Sequence, residues 1–142
     1  MSSLRIFLRP GEKVFLNGAV LRADRKVSLE VLNDVSFLLE SHVLQSHETT
    51  TPLRQLYFII QAILINPADA ADARDLYRHS YDLLSETVMN PLMRAGLATV
   101  DACVKEERTF EALKLIRQLY PIEQEILGGA TVPVQSLERE AV

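Results

Sequence analysis

The chain has 142 residues, 48% of them apolar and 24% charged, with a net charge of −4, the balance of a globular protein with one ordinary core or two small subdomains sharing one. The longest nearly apolar run, Leu56 to Ile65, is interrupted by Gln61 and is about half the roughly 20 residues a bilayer span needs. The N-terminus lacks an apolar stretch of signal-peptide length, and a lone Cys103 excludes an intramolecular disulfide and fits a reducing cytoplasm.

The charge is unevenly spread. Residues 1–30 hold six basic and three acidic side chains, whereas residues 52–142 hold nine basic and thirteen acidic. A basic segment on an acidic chain is an electrostatic footprint for an anionic partner, although asymmetry of this size also serves simply to solvate two surfaces.

Leu4, Ile6 and Leu8 alternate with Arg5, Phe7 and Arg9, the period-2 pattern of a strand with one buried face. Pro10-Gly11 ends it, since proline offers no ladder donor and glycine accepts turn geometry. Lys13 to Leu16 and Ala19 to Arg22 read as two further strands around Asn17-Gly18, residues that tolerate the positive φ of a type I′ hairpin turn. A two-residue loop pairs Leu16 with Ala19, Phe15 with Val20, Val14 with Leu21 and Lys13 with Arg22. Val14, Leu16, Ala19 and Leu21 then share one face; Lys13, Phe15, Val20 and Arg22 share the other. Like charges directly opposite are unfavourable in a hairpin. Either Glu12 or Asp24 neutralises the Lys13–Arg22 pair, or the pair receives an anion such as phosphate. After the polar turn Asp24-Arg25, Lys26 to Leu32 alternates again, and beyond Asn33-Asp34 the segment Val35 to Glu40 reads as a short fifth strand.

Ser41 to Thr51 is polar and contains His42 and His47, which without a cysteine or dense carboxylates read as solvated residues rather than metal ligands. Three Asx/Thr-Pro steps follow, each a side-chain cap with proline at the first helical position. Thr51-Pro52 opens a helix to about Ile65 that is apolar on most of its circumference and therefore buried. Asn66-Pro67 opens a second of about 20 residues, with Ala73, Leu76, Tyr77, Ser80, Leu84 and Val88 facing inward. Asp69, Asp72 and Asp75 near its start are explained by the helix dipole. Asn90-Pro91 opens a third to about Glu107, with Cys103 as a packing residue beside Met93, Leu97, Val100 and Val104. Thr109 caps a fourth, Phe110 to Leu127, with a kink or break expected near Tyr120 because Pro121 follows. The expected class is α+β: a small N-terminal antiparallel sheet or partial barrel followed by a bundle of about four helices. Residues 1–50 form a β-rich candidate RNA-binding module, residues 51–128 a helical region packed on it, and residues 129–142 a flexible tail after Gly128-Gly129.

No nucleophile elbow, HExxH, P-loop or dinucleotide fingerprint is present, so no catalytic residues, metal ligands or cofactor are assigned. A nucleic-acid reading needs several Lys or Arg on one surface, because phosphate contacts release counterions, and aromatic rings for unstacked RNA bases. Arg5, Arg9, Lys13, Phe15, Arg22, Arg25 and Lys26 are the candidate RNA-binding set. Phe7 shares the Arg5–Arg9 face, and Phe7 and Phe15 each serve equally well as core or as stacking platform.

Leu8 to Lys13 (LRPGEK), Asn17 to Arg22 (NGAVLR) and Asp24-Arg25 together resemble the FlbT family of flagellar biosynthesis regulators. Thr51-Pro52 with the aromatic-apolar helix through Tyr57-Phe58, and Phe110 to Lys114 (FEALK), extend the resemblance over roughly residues 4–127. Ala23 stands where the family often has glycine. The resemblance implies a cytoplasmic post-transcriptional regulator that associates with the 5′ untranslated leader of flagellin mRNA, limits its translation and promotes its degradation, leaving cleavage to cellular nucleases. The alternative is a protein-interaction module or chaperone-like adaptor, in which the helical half holds flagellin or another flagellar factor. Exposed sheet edges leave room for a homo-oligomer.

Overall fold

The computed structural model describes residues 4–33 and 35–128. The chain runs β1 (Leu4–Leu8), β2 (Lys13–Leu16), β3 (Ala19–Arg22), β4 (Val27–Val31), β5 (Phe37–Leu39), α1 (Pro52–Ile65), α2 (Ala71–Thr87), α3 (Pro91–Lys105) and α4 (Thr109–Gly128), with 3-10 turns at Glu40–His42, Ser46–Glu48 and Pro67–Asp69. The α+β class expected from the sequence is therefore the class observed. The tail expected over residues 129–142 lies outside the described residues.

The five strands form two antiparallel sheets: a ribbon of β1 with β4, and a three-stranded sheet in the order β3-β2-β5. The hairpin register is the one Asn17-Gly18 dictates, with Lys13 opposite Arg22 and Leu16 opposite Ala19. Asn17 and Gly18 both take positive φ, 51° and 90°, as a type I′ turn requires. Beyond the strands the ladder continues through Gly11 N–H to the Ala23 carbonyl and Ala23 N–H to the Glu12 carbonyl. Ala23 is buried in the β core, so the methyl that departs from the common glycine is accommodated by packing.

Strand alternation then makes a layered arrangement. Ile6 and Leu8 of the ribbon face Val14 and Phe37 of the second sheet, with Leu16, Val27, Leu29, Val31 and Leu39 around them. Phe15 and Leu38, opposite each other on β2 and β5, point the other way and join the helical core. β2 is thus covered on both faces, by the ribbon and by the helices, while β3 is exposed along its length. Phe110 of α4 packs against both cores and stacks on Phe37 at 4.3 Å between ring centroids.

α1 is the buried axis its composition demands, with Leu53, Leu56, Ile60, Ile63 and Leu64 essentially inaccessible. Thr51 caps it by accepting from Arg54 N–H, and Asn90 caps α3 by accepting from Met93 N–H. Asn66-Pro67 behaves differently. Its proline starts a 3-10 turn without a side-chain cap, and α2 begins only at Ala71. α2 lies on the surface with Tyr77 its one buried residue. Ala73, Tyr81, Leu84 and Val88 pack against the core with Tyr77, whereas Leu76 is exposed because it lies about 100° around the helix from this stripe. α4 is not broken at Pro121: Ile116, Leu119 and Glu123 are buried on either side, and this packing outweighs the lost backbone bond. No helix among the described residues is long and apolar enough to cross a membrane.

Candidate nucleic-acid interface

The seven candidate residues do not share one surface. Residues alternate sides along a strand, so Arg5, Phe7 and Arg9 lie on the outer face of the β1–β4 ribbon, away from the core filled by Ile6 and Leu8. Lys13 and Arg22 have the parity of Phe15, which packs on the helical core. They therefore project toward the helical side of the middle sheet, with the β core between them and the ribbon's outer face.

The two groups also differ in how their charges are satisfied. On the ribbon, an Arg5 Nη lies 3.8 Å from Glu30 and another donates to Ser28 Oγ. Arg9 is 3.9 Å from Glu12, which also accepts the Arg9 N–H at 2.9 Å. Arg25 pairs with Asp24 at 3.6 Å. Lys26 is exposed just ahead of β4. The Arg5–Glu30 and Arg25–Asp24 pairs are open to solvent and contribute little to stability; the Glu12 carboxylate is largely covered but the Arg9 side chain is exposed, so all three arginines are available for exchange onto phosphates.

Lys13 and Arg22 face each other across the hairpin. Of the two carboxylates available from the sequence to neutralise them, Glu12 is taken by Arg9 and Asp24 by Arg25. Glu40 accepts the Lys13 backbone N–H at 2.8 Å without reaching its ammonium. Among the described residues neither Lys13 nor Arg22 makes an ion pair.

The aromatic assignment also changes. Phe15, expected at the site, is half-buried against the helical core and is not an open stacking platform. Phe7 is, at 68% exposed between Arg5 and Arg9. Alternation put Phe7 on the arginine face, but only the third layer shows that β2 is covered on both sides and β1 on one.

Elsewhere, Asp101 on α3 is the most heavily engaged carboxylate. It accepts from Tyr77 Oη at 2.8 Å and from Arg78, and lies 3.1 Å from Lys105. Its donors come from α2 and from its own helix, so it ties two helices together rather than facing a cleft. Among the described residues no group of three or more His, Cys, Asp or Glu is placed to hold a metal ion; Cys103 is buried, and burial pushes its thiol pKa up.

The comparisons with known proteins agree with the motifs in β1 to β3. The model of the family described as "Flagellar protein FlbT" matches residues 4–127. A probable flagellum biosynthesis repressor protein FlbT of Mesorhizobium japonicum is 52% identical over 128 residues, covering 90% of this chain and 87% of that protein. A protein of the same name from Rhizobium johnstonii is 53% identical over 142 residues, covering 98% and 95%, and one from Chelativorans sp. is 50% identical over 141 residues, covering 99% and 97%. No solved structure matches the chain. Matched by the family model along nearly all of its described length, and about half identical to these relatives over 90% or more of its own length, the chain belongs to the FlbT family of flagellar proteins.

Proposed function

We propose that this chain is a cytoplasmic post-transcriptional repressor of flagellum biosynthesis that binds the 5′ untranslated leader of flagellin mRNA, limits its translation and promotes its decay by cellular nucleases. The repressor role is supported by the names its relatives carry. The observation that carries the RNA reading is the cross-strand Lys13–Arg22 pair. A like-charge pair is normally unfavourable, and here both neighbouring carboxylates are directed to other arginines. A phosphate between the two cations relieves that repulsion. Arg5, Phe7, Arg9, Arg25 and Lys26 offer a second contact surface on the ribbon, with Phe7 as the ring on which an unstacked base can lie.

Titration of the leader RNA at several salt concentrations tests this reading. Affinity should fall steeply with salt, and Lys13→Gln/Arg22→Gln should weaken binding by tenfold or more and flatten the salt slope by about 1.4, the value for two single-strand phosphate contacts. Wild-type protein that leaves the leader unbound at low salt refutes it.

One observation favours a protein partner instead. Leu76 and Leu83, seven apart on α2, are exposed together with Met89 and Leu92 nearby in the chain, and grouped apolar side chains of this kind mark interaction surfaces. Co-purification with flagellin that is lost in Leu76→Ser/Leu83→Ser, with no leader binding by wild type, supports that second reading.

A further inference from the structure

The α1–α4 pair carries two arginines of a different kind from the rest. Leu53 N–H bonds Glu123, Arg54 lies over Tyr120, and Arg117 bonds Tyr57. Position rises on α1 as it falls on α4, so the helices run antiparallel and the four side chains interlock. The Arg54 guanidinium sits 4.7 Å from the centre of the Tyr120 ring and the Arg117 guanidinium 5.9 Å from that of Tyr57, with the rings 6.1 Å apart. Each Arg lies three residues from a Tyr on its own helix and meets the Tyr of the other, Arg54 over the Tyr120 ring and Arg117 at the hydroxyl end of Tyr57. The two cations are therefore about one helical turn apart along the pair.

Their charges are unanswered. Arg74, Arg78 and Arg108 each pair with a carboxylate, and Arg94 donates to the Ser85 and Val88 carbonyls. Among the described residues, Arg54 and Arg117 make no ion pair. The nearby carboxylate, Glu123, is buried and committed to Leu53 N–H. Arg117 donates only to Tyr57 Oη, which donates in turn to the His42 carbonyl. Burial of the His42 ring, with the charge of Arg117, lowers the His42 pKa and so favours its neutral form, as expected where a second cation is unwelcome. A guanidinium positioned by an aromatic neighbour, as Arg54 is over Tyr120 and Arg117 is by its bond to Tyr57 Oη, keeps its remaining N–H groups ordered and open to an anion such as phosphate. Beside Arg54 opens a pocket of about 360 Å³ lined also by Thr50, Thr51, Tyr120, Glu123 and Gln124. The Tyr120 hydroxyl is buried without a hydrogen-bond partner. It is a polar group oriented by its neighbours and left unsatisfied.

The cluster also connects to the hairpin. Lys13 N–H bonds Glu40 of the 3-10 turn that ends at His42, and the His42 carbonyl accepts from Tyr57, which accepts from Arg117. Lys13, Arg22, Arg117 and Arg54 thus lie on the helical side of the middle sheet, none with a carboxylate partner.

We propose that Arg54 and Arg117 form a further phosphate-contact site, separate from the ribbon surface, onto which an RNA strand held at Lys13 and Arg22 continues across the α1–α4 pair. This rests on the RNA reading above, and its test separates the two. Leader binding is measured against salt for wild type, Arg54→Gln/Arg117→Gln and Arg54→Lys/Arg117→Lys, with circular dichroism as the folding control. The Gln variant should bind tenfold or more weakly with a salt slope flatter by about 1.4; the Lys variant should keep the slope and lose part of the affinity, because the charge stays and the fork does not. Wild-type affinity and slope in the Gln variant overturn the site and leave the RNA reading standing. If wild-type protein binds no leader, the RNA reading falls. The site is then judged by the Nε–Hε NMR signals of Arg54 and Arg117 in wild-type protein titrated with inorganic phosphate against chloride of equal ionic strength. Phosphate-specific shifts of both signals support an anion site there, and their absence overturns it. The same titration decides the matter if the Gln variant does not fold.

Discussion

Asp101 accepts from Tyr77 and Arg78 of α2 and from Lys105 one turn along α3, with its side chain only 13% exposed. Burial works to raise its pKa, but the hydrogen bonds from Tyr77, Lys105 and Arg78 outweigh it and hold the carboxyl below its ordinary value. A carboxylate depressed in the folded state contributes stability that is complete above its unfolded pKa, near 4, and is lost as pH falls through the folded value. Asp101→Asn should therefore cost about 2–4 kcal/mol near neutral pH. The gap to wild type should narrow below pH 4 in urea unfolding. A gap constant from pH 7 to pH 3 would show that the Asp101 charge does not contribute. Gln61 is a second polar residue placed for one purpose. Buried in the apolar α1, it accepts from Leu44 N–H at 2.7 Å and donates to the Leu44 carbonyl at 2.9 Å, pinning the connection from the β core. Gln61→Leu adds apolar surface yet should destabilise by roughly 1–3 kcal/mol, because it strands both Leu44 groups; a midpoint at or above wild type in urea would overturn this.

Among the elements, α3 packs tightly on α4 at Gly96. A Cβ built there meets Leu119 Cδ2 at 2.5 Å and Cδ1 at 2.9 Å, and Leu119 is buried. Gly96→Ala gains up to about 1 kcal/mol of helix propensity but must displace Leu119 in a filled core, so a net loss of about 1 kcal/mol is expected. Leu119→Ala alone should cost about 2–4 kcal/mol. In the Leu119→Ala background Gly96→Ala should turn neutral or stabilising, a sign reversal read from a double-mutant cycle. Additive losses would mean that the two residues do not contend for the same space. Contacts of this kind are invisible in a single sequence, and they mark where its legibility ends. Asn17-Gly18, Thr51-Pro52 and Asn90-Pro91 were readable because the turn and cap chemistry is local. Asn66-Pro67 carries the same signal, but there the chain uses proline for a 3-10 turn and starts α2 four residues later. The candidate site was legible to the same depth. Local pairing placed Lys13 against Arg22. Which strand faces are wet depends on layering, and layering turned Phe15 inward, left Phe7 outward and parted the ribbon cations from the hairpin pair.

At the scale of the molecule, the strands and helices build separate apolar cores, and a few side chains at their border tie them together. Phe15 and Leu38 reach from the sheet into the helical core. Phe110 touches both cores and stacks on Phe37, while its neighbour Thr109 hydrogen-bonds Ser36 at 3.2 Å. The hairpin cations are carried by the sheet and the α1–α4 arginines by the helices, so the alignment of the proposed RNA path depends on how the two are held together. Phe110→Ala should lower stability by about 2–3 kcal/mol, somewhat under the usual cost for a fully buried phenylalanine because the ring is half-buried. It should do so unevenly. In native-state hydrogen exchange the wild-type amides of Val14 and Ile116 should open through one global event, whereas in Phe110→Ala the Val14 amide should exchange through a cheaper, separate opening of the sheets. Phe110→Leu, which keeps an apolar bridge without the stacked ring, should restore most of the coupling. If Val14 and Ile116 lose protection equally in Phe110→Ala, then Phe110 adds to the total stability without joining the halves, and the alignment of the two cation pairs must rest on Phe15 and Leu38 instead.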